Sequence, residues 1–135
     1  MAILIVESSP EGRDRLTSLL GAEGYTEVVT AESARHAFQY LGLEDPAQAT
    51  RDVDLILLDM GIPDKGGVDA CALISERDRL RDVPIIMLVG AAETGELDAA
   101  FKAGAVDYVS KPPRRVRLAG LASWPGRSRS QVLTL

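Results

Sequence analysis

Three apolar segments of this 135-residue sequence are each followed by side chains suited to ionic chemistry. Glu7 and Ser8 follow the first segment, Asp59 ends another, and Lys111 follows the last. A carboxylate can act as a covalent nucleophile, carboxylate oxygens are ligands for Mg²⁺, and a lysine offers a compact charge for phosphate. Taken singly, each residue also has an ordinary explanation as a turn acid, a helix cap or a solvated lysine. Their chemistry therefore depends on whether the fold brings them together.

The elements that must position these residues are short apolar segments that alternate with amphipathic ones. Strands are predicted at residues 2–6, 28–30, 54–58, 84–89 and 105–109, several of them continuously apolar, as strands buried on both faces are. Apolar residues with i, i+3, i+4 spacing predict helices between the strands. Ser9 is predicted as the N-cap of the first helix and Thr30 as that of the second, and a third helix is predicted at about 68–78.

This order predicts an α/β fold, a doubly wound five-stranded parallel sheet with right-handed crossovers and helices on both faces. Ligands of such sheets bind beyond the carboxyl ends of the strands, where the strand order reverses. Glu7, Ser8, Asp59 and Lys111 all fall at that edge, as does Val89 at the end of the fourth strand. Three charged side chains at one edge favour a functional site over three unrelated structural roles.

Composition and charge exclude several classes of protein. The sequence is 46% hydrophobic and 26% charged, as is ordinary for a globular domain, and no apolar run approaches the ~20 residues of a membrane span. A cytoplasmic location is expected, because MAILIV lacks the pattern of a signal peptide and the single Cys71 cannot form an internal disulfide. Residues 1–110 carry 20 acidic and 9 basic side chains, which argues against direct nucleic-acid binding by this body.

Several motifs, in order along the chain, resemble the receiver domain of bacterial two-component response regulators. They are ILIVE, LILLDMGIP around Asp59, Gly67 in the following turn, PIIMLVG and AGAVDYVSKPP, and together they cover about residues 2–113. The resemblance implies a flavodoxin-like (βα)5 fold. It also implies that a histidine kinase or a histidine phosphotransfer protein is the partner that phosphorylates the domain.

The resemblance assigns roles to individual residues. Asp59 would accept the phosphoryl group, Lys111 would contact the phosphoryl oxygens, and the peptide before Pro112 would be cis. Acids at the Glu7 position hold Mg²⁺ in the family, and Asp59 together with the backbone carbonyl of Gly61 would supply further oxygens. The chemistry agrees with these roles, since a carboxylate that attacks a phosphoryl anion needs cations to neutralise the charge of the transition state.

Two positions depart from the family pattern. Ser8 stands where the family has a second acid, which predicts weaker Mg²⁺ binding unless its hydroxyl or a water fills the position. Val89 stands where the family has Thr or Ser, and its lost hydroxyl would have contributed about 1.5–3 kcal/mol as a hydrogen bond to a charged group. Tyr108, at the family's aromatic switch position, is therefore expected to respond weakly. It is equally consistent with an amphipathic strand residue whose hydroxyl lies in solvent.

The end of the sequence is atypical. Residues 1–113 are predicted to form the receiver domain, and 114–135 a basic segment with a shortened fifth helix at 114–123 and a flexible tail. The family's dimer and output contacts lie on the surface of helix 4, strand 5 and helix 5. The short fifth helix puts that surface in doubt, so a homodimer stays open. The motif GRSRS is interpreted as solvated rather than bound to nucleic acid.

The leading hypothesis is a phosphoacceptor receiver domain, either free-standing or part of a longer regulator, with a weakened switch. One alternative is a pseudo-receiver, an interaction module that works without phosphorylation. Another is a small hydrolase or phosphatase that uses Asp59 as a transient nucleophile. The sequence has no Gly-rich phosphate loop, and no second acid near Asp59 is placed as a general acid. A non-enzymatic role is therefore expected.

Overall fold

A computed structural model describes residues 1–49 and 52–114 of the chain. Its central parallel sheet has five strands, β1 (Ile3–Val6), β2 (Val28–Ala31), β3 (Leu55–Asp59), β4 (Ile85–Val89) and β5 (Asp107–Ser110). The described residues also form the helices α1 (Pro10–Ala22), α2 (Ala34–Leu41), α3 (Gly67–Ser75) and α4 (Leu97–Ala103). Short 3₁₀ segments lie at Pro46–Gln48, Asp78–Leu80 and Ala91–Glu96.

The strands lie in the order β2-β1-β3-β4-β5, and every neighbouring pair is parallel. This is the flavodoxin-like order, and it confirms the predicted doubly wound α/β fold. The chain adds β2 on one side of β1 and β3 on the other, so the switch point lies between the ends of β1 and β3. Any ligand is expected in the crevice there.

Apolar side chains cover both faces of the sheet. Side chains of α2, α3 and α4, including Ala37, Cys71 and Ala100, form one core, and Leu16 and Leu20 of α1 form part of the other. Every residue of β1, β3 and β4 is buried. Continuous burial explains why these three strands are apolar at successive positions rather than at alternate ones.

Two predicted helix boundaries are wrong, while the cap of α1 is confirmed. Ser9 accepts the N–H of Gly12 and begins α1 as expected. Thr30 does not cap α2, because β2 continues its pairing with β1 through Thr30 and Ala31. Ser33 caps α2 instead. Helix α3 ends at Ser75 rather than near residue 78, since the next residues close a tighter 3₁₀ turn.

Strand β5 also begins two residues later than predicted. The backbone N–H of Ala105 donates to the carbonyl of Ala100, so Ala105 is bound to the last turn of α4 and does not pair with β4. Gly104 permits this turn, because its φ is +122°. The predicted helix at 114–123, apart from residue 114, and the tail to residue 135 lie outside the described residues. Among the residues that are described, no helix is long and apolar enough to cross a membrane.

Candidate functional site

The ends of β1, β3 and β5 bring three predicted site residues together. Val6 pairs with Leu58, so the next residues, Glu7 and Asp59, lie side by side at the switch point. Both carboxylates are buried, with exposed fractions of 7% and 3%. Lys111 follows β5 and reaches across the edge of β4 to form an ion pair with Oδ1 of Asp59. The predicted convergence of these charges is confirmed.

The Asp59 carboxylate is held in its ionised form by its neighbours. Burial by itself raises the pKa of Asp59, but hydrogen bonds from Glu7 and Lys111 outweigh burial and leave this pKa lowered. The backbone N–H of Gly61 also donates to Oδ1 of Asp59, at 3.1 Å. A carboxylate that is already ionised can act as a nucleophile at the switch point.

Glu7 behaves differently from Asp59. Burial, followed by its hydrogen bond with Asp59 and that residue's negative charge, raises the pKa of Glu7 to about 7. At lower pH Glu7 therefore keeps its proton and donates a hydrogen bond to the ionised carboxylate of Asp59. The two carboxyls and Lys111 then carry one negative and one positive charge. This balance explains how the sheet tolerates two buried acids.

The donor set fits Mg²⁺. Mg²⁺ binds through one or two carboxylates and keeps several waters, and Glu7 and Asp59 provide two. Among the described residues no group of three or more acidic, His or Cys side chains could hold a metal. The fit therefore rests on two side chains. Metal ligands must be deprotonated, so Mg²⁺ affinity should rise with pH until Glu7 has lost its proton, above about pH 7.

The other two predicted oxygen donors lie close by in the chain. Ser8 is exposed, and its backbone carbonyl accepts the guanidinium of Arg13 at 3.0 Å. Gly61 is also exposed and directs its N–H towards Asp59. For both residues a metal-binding role stays a prediction.

The predicted switch residues lie on the last two strands of the sheet, Val89 at the end of β4 and Tyr108 within β5. Val89 is buried, and its carbonyl accepts the backbone N–H of Lys111 at 2.9 Å. The peptide between Lys111 and Pro112 is cis, as expected. Tyr108 is 38% exposed and packs edge-on against Phe101, with ring centroids 6.5 Å apart. Phe101, which the helical spacing groups with the core-facing side of α4, is itself 42% exposed.

Two acidic residues near the site, Asp64 and Glu93, were not predicted from the sequence. The two oxygens of Asp64 each accept a backbone N–H at the start of α2, from Ala34 and Arg35 at 3.0 Å, and so fasten the β3–α3 loop to that helix. Burial raises the pKa of Asp64, but these hydrogen bonds outweigh burial and lower it. Oε1 of Glu93 accepts the N–H of Gly90 beside the site. The Glu93 contact has the i, i+3 spacing of a capping box, which is visible in the sequence, whereas no local signal marks the Asp64 contacts.

Comparisons with known proteins agree with this geometry. The family model of the response regulator receiver domain matches residues 3–122. The TorCAD operon transcriptional regulatory protein TorR of Escherichia coli K12 is 38% identical over 110 residues, which are 82% of this chain and 43% of TorR. The chemotaxis protein CheY1 of Helicobacter pylori is 29% identical over 112 residues, 83% of this chain and 86% of that protein. This chain thus spans less than half of TorR and most of CheY1.

A solved structure is similar as well. The receiver domain of a sensor histidine kinase from Pseudomonas aeruginosa superposes with a TM-score of 0.71 and 29% identity, over 84% of this chain and 87% of that domain. That structure has a magnesium ion coordinated in its active-site cleft. The motifs, the strand order and the matched family model agree. The chain belongs to the response regulator receiver domain family of two-component signalling.

Proposed function

We propose that Asp59 is the phosphoacceptor of this receiver domain. The observation that carries the proposal is the position of its carboxylate, buried at the switch point between Glu7 and Lys111 and ionised by its hydrogen bonds. Ligand sites of doubly wound sheets lie at this point. Receiver domains are generally signalling modules without catalytic turnover of their own, and we assign this chain the same role.

In the proposed reaction an oxygen of Asp59 attacks the phosphorus atom of a phosphohistidine. The new O–P bond makes an acyl phosphate, and the P–N bond of the donor breaks as the imidazole leaves. Lys111 neutralises charge that develops on the phosphoryl oxygens. Glu7 and Asp59 would hold Mg²⁺, with oxygens of Gly61 and Ser8 as further candidates, and the ion when bound would supply additional charge neutralisation.

The phosphodonor is proposed to be a histidine kinase or a histidine phosphotransfer protein. The signalling output is proposed to depend on the protein or domain that this domain contacts or is joined to. TorR, a transcriptional regulator, is more than twice as long as the segment that aligns with this chain, whereas CheY1, a chemotaxis protein, is of similar length. A cytoplasmic location and a homodimer stay predictions. Residues 114–135 are proposed to lie outside the phosphorylation chemistry.

The direct test is incubation with Mg²⁺ and acetyl phosphate, followed by intact-protein mass measurement. One phosphoryl group is expected per chain. An unchanged mass at saturating donor and metal would support the pseudo-receiver, and sustained hydrolysis of a phosphate monoester would support the hydrolase.

We expect Ser8→Asp to strengthen Mg²⁺ binding by about tenfold, since a third carboxylate adds charge and an oxygen ligand. Isothermal titration of both proteins measures this change. Ser9→Asp is the matched control, because it adds the same charge one residue away and Asp preserves the N-cap of α1. Equal affinity in wild type and Ser8→Asp, or an equal gain from Ser9→Asp, would contradict coordination at position 8.

Val89→Thr is expected to enlarge the response of the Tyr108 region to phosphorylation. The substitution restores a hydroxyl at almost constant volume, but burying that group without a partner should destabilise the unphosphorylated domain by about 1–3 kcal/mol. NMR shifts with and without beryllofluoride, an analogue of the phosphoryl group, report the response. Val109→Thr makes the same change at another buried strand position and should only destabilise. A complete shift already in wild type would show that Val89 does not limit the switch.

A further inference from the structure

A third carboxylate lies beside Asp59 and belongs to Glu93. Its Oε1 accepts the N–H of Gly90 at 2.9 Å, and the N–H of Glu93 donates to the carbonyl of Gly90 at 3.0 Å, which closes a tight turn after β4. Oε2 points towards Gly61. A Cβ added at Gly61 would overlap this oxygen, and Oδ1 of Asp59 lies 3.8 Å from the same Cβ position. The Glu93 carboxylate therefore covers Gly61 on the side next to the acceptor.

This position has two physical consequences for an incoming anion. Glu93 forms no ion pair within residues 1–49 and 52–114, so its charge adds an unbalanced negative field beside Asp59, whose own charge is balanced by Lys111. A negative phosphodonor is repelled by that field. Glu93 also occupies the N–H of Gly90, a backbone donor at the mouth of the site that would otherwise be available to an anion.

We propose that Glu93 is a brake on phosphorylation, a positioning residue whose carboxylate must leave Gly61 and Gly90 before a phosphodonor can reach Asp59. The proposal rests on the proposed role of Asp59 as acceptor. It follows that a side chain at position 61 would require the Glu93 carboxylate to shift. It also follows that the resting domain carries its own anion at the entrance of the site.

The competing explanation is that the Glu93 side chain only caps the start of the 3₁₀ segment Ala91–Glu96. Two variants separate these roles. Glu93→Gln keeps an oxygen that can accept the Gly90 N–H but removes the charge, whereas Glu93→Ala removes both. Glu96→Gln is the matched control, because Glu96 is exposed, lies in the same segment and makes no capping hydrogen bond with its side chain.

The experiment measures the rate of phosphoryl uptake from acetyl phosphate in the full chain at saturating Mg²⁺, by intact mass against time. Glu93→Gln is expected to be about five to ten times faster than wild type, and Glu93→Ala at least as fast. Glu96→Gln should stay within about twofold, since an exposed charge is screened. Added salt should accelerate wild type more than Glu93→Gln, because salt screens the repulsion that the variant lacks.

Three results would overturn the proposal, and they differ from one another. In the first, wild type is phosphorylated but neither Glu93 variant takes up phosphoryl groups faster than wild type. This result would reject the brake and leave Asp59 as the acceptor. Weaker Mg²⁺ binding by Glu93→Gln than by Glu96→Gln would make Glu93 a metal ligand instead. If wild type and all variants take up no phosphoryl group, the role of Asp59 and the brake fail together.

Discussion

Asp59→Asn is expected to abolish phosphoryl uptake. The amide preserves the shape of the side chain in a position that is only 3% exposed, but it lacks the anionic oxygen that attacks phosphorus. It also cannot balance the charge of Lys111, which in wild type forms an ion pair with this side chain. Intact mass after incubation with acetyl phosphate and Mg²⁺ should show one added phosphoryl group in wild type and none in the variant.

Asp64→Asn is the matched control for this result. Asp64 lies in the loop that follows β3, but its oxygens accept N–H groups of α2 rather than contacting Lys111. This variant should still take up one phosphoryl group. Circular dichroism of both variants checks that the fold is retained. Labelling of Asp59→Asn to the level of wild type would place the acceptor on another side chain.

Gly67→Ala is expected to lower the free energy of unfolding by about 3 kcal/mol, at the upper end of overpacking effects. The start of α3 packs directly on the backbone after β3, and the N–H of Gly67 donates to the carbonyl of Met60 at 2.9 Å. A Cβ at this position would lie 2.6 Å from Cα of Met60 and 2.7 Å from the carbonyl oxygen of Asp59. Backbone atoms cannot rotate away as a side chain does. Urea denaturation measures the loss.

Gly21→Ala makes the same chemical change where nothing lies within 4 Å of the new methyl group. Because Gly21 lies in the last turn of α1, alanine there should stabilise the domain by up to about 0.5 kcal/mol, the lower end of the effect in the middle of a helix. The two variants should therefore move the urea midpoint in opposite directions. We also expect Gly67→Ala to slow phosphoryl uptake, since the displaced backbone carries Asp59. A stability within 0.5 kcal/mol of wild type would show that the α3–β3 contact relaxes easily.

The fold and the centre of the candidate site could be predicted from local patterns. Continuous apolar segments that alternate with amphipathic ones indicate buried parallel strands and crossover helices. Because the strands of a parallel sheet all end at the same edge, the convergence of Glu7, Asp59 and Lys111 followed from their places at the ends of strands. The buried pair and the ion pair confirm that placement.

Local patterns were less informative at the boundaries of elements and at exposed positions. Thr30 is a good N-cap by type, yet its pairing with Ile5 keeps it in β2. Phe101 has the helical spacing of a core residue, yet it lies against Tyr108 at the surface. In both cases a partner in another element determines the outcome, and the spacing of residues within one helix contains no information about that partner.

The sequence by itself determined the order of elements, the buried strands and the edge at which the charged residues meet, because these depend on periodicity and on the parallel direction of the strands. Only the tertiary structure decided that Glu7 is hydrogen-bonded to Asp59, that Asp64 fastens its loop to α2, and that Glu93 covers Gly61. Burial and proximity set the charge state and the contacts of these acids. Both quantities exist only after segments that are distant in the sequence have packed together.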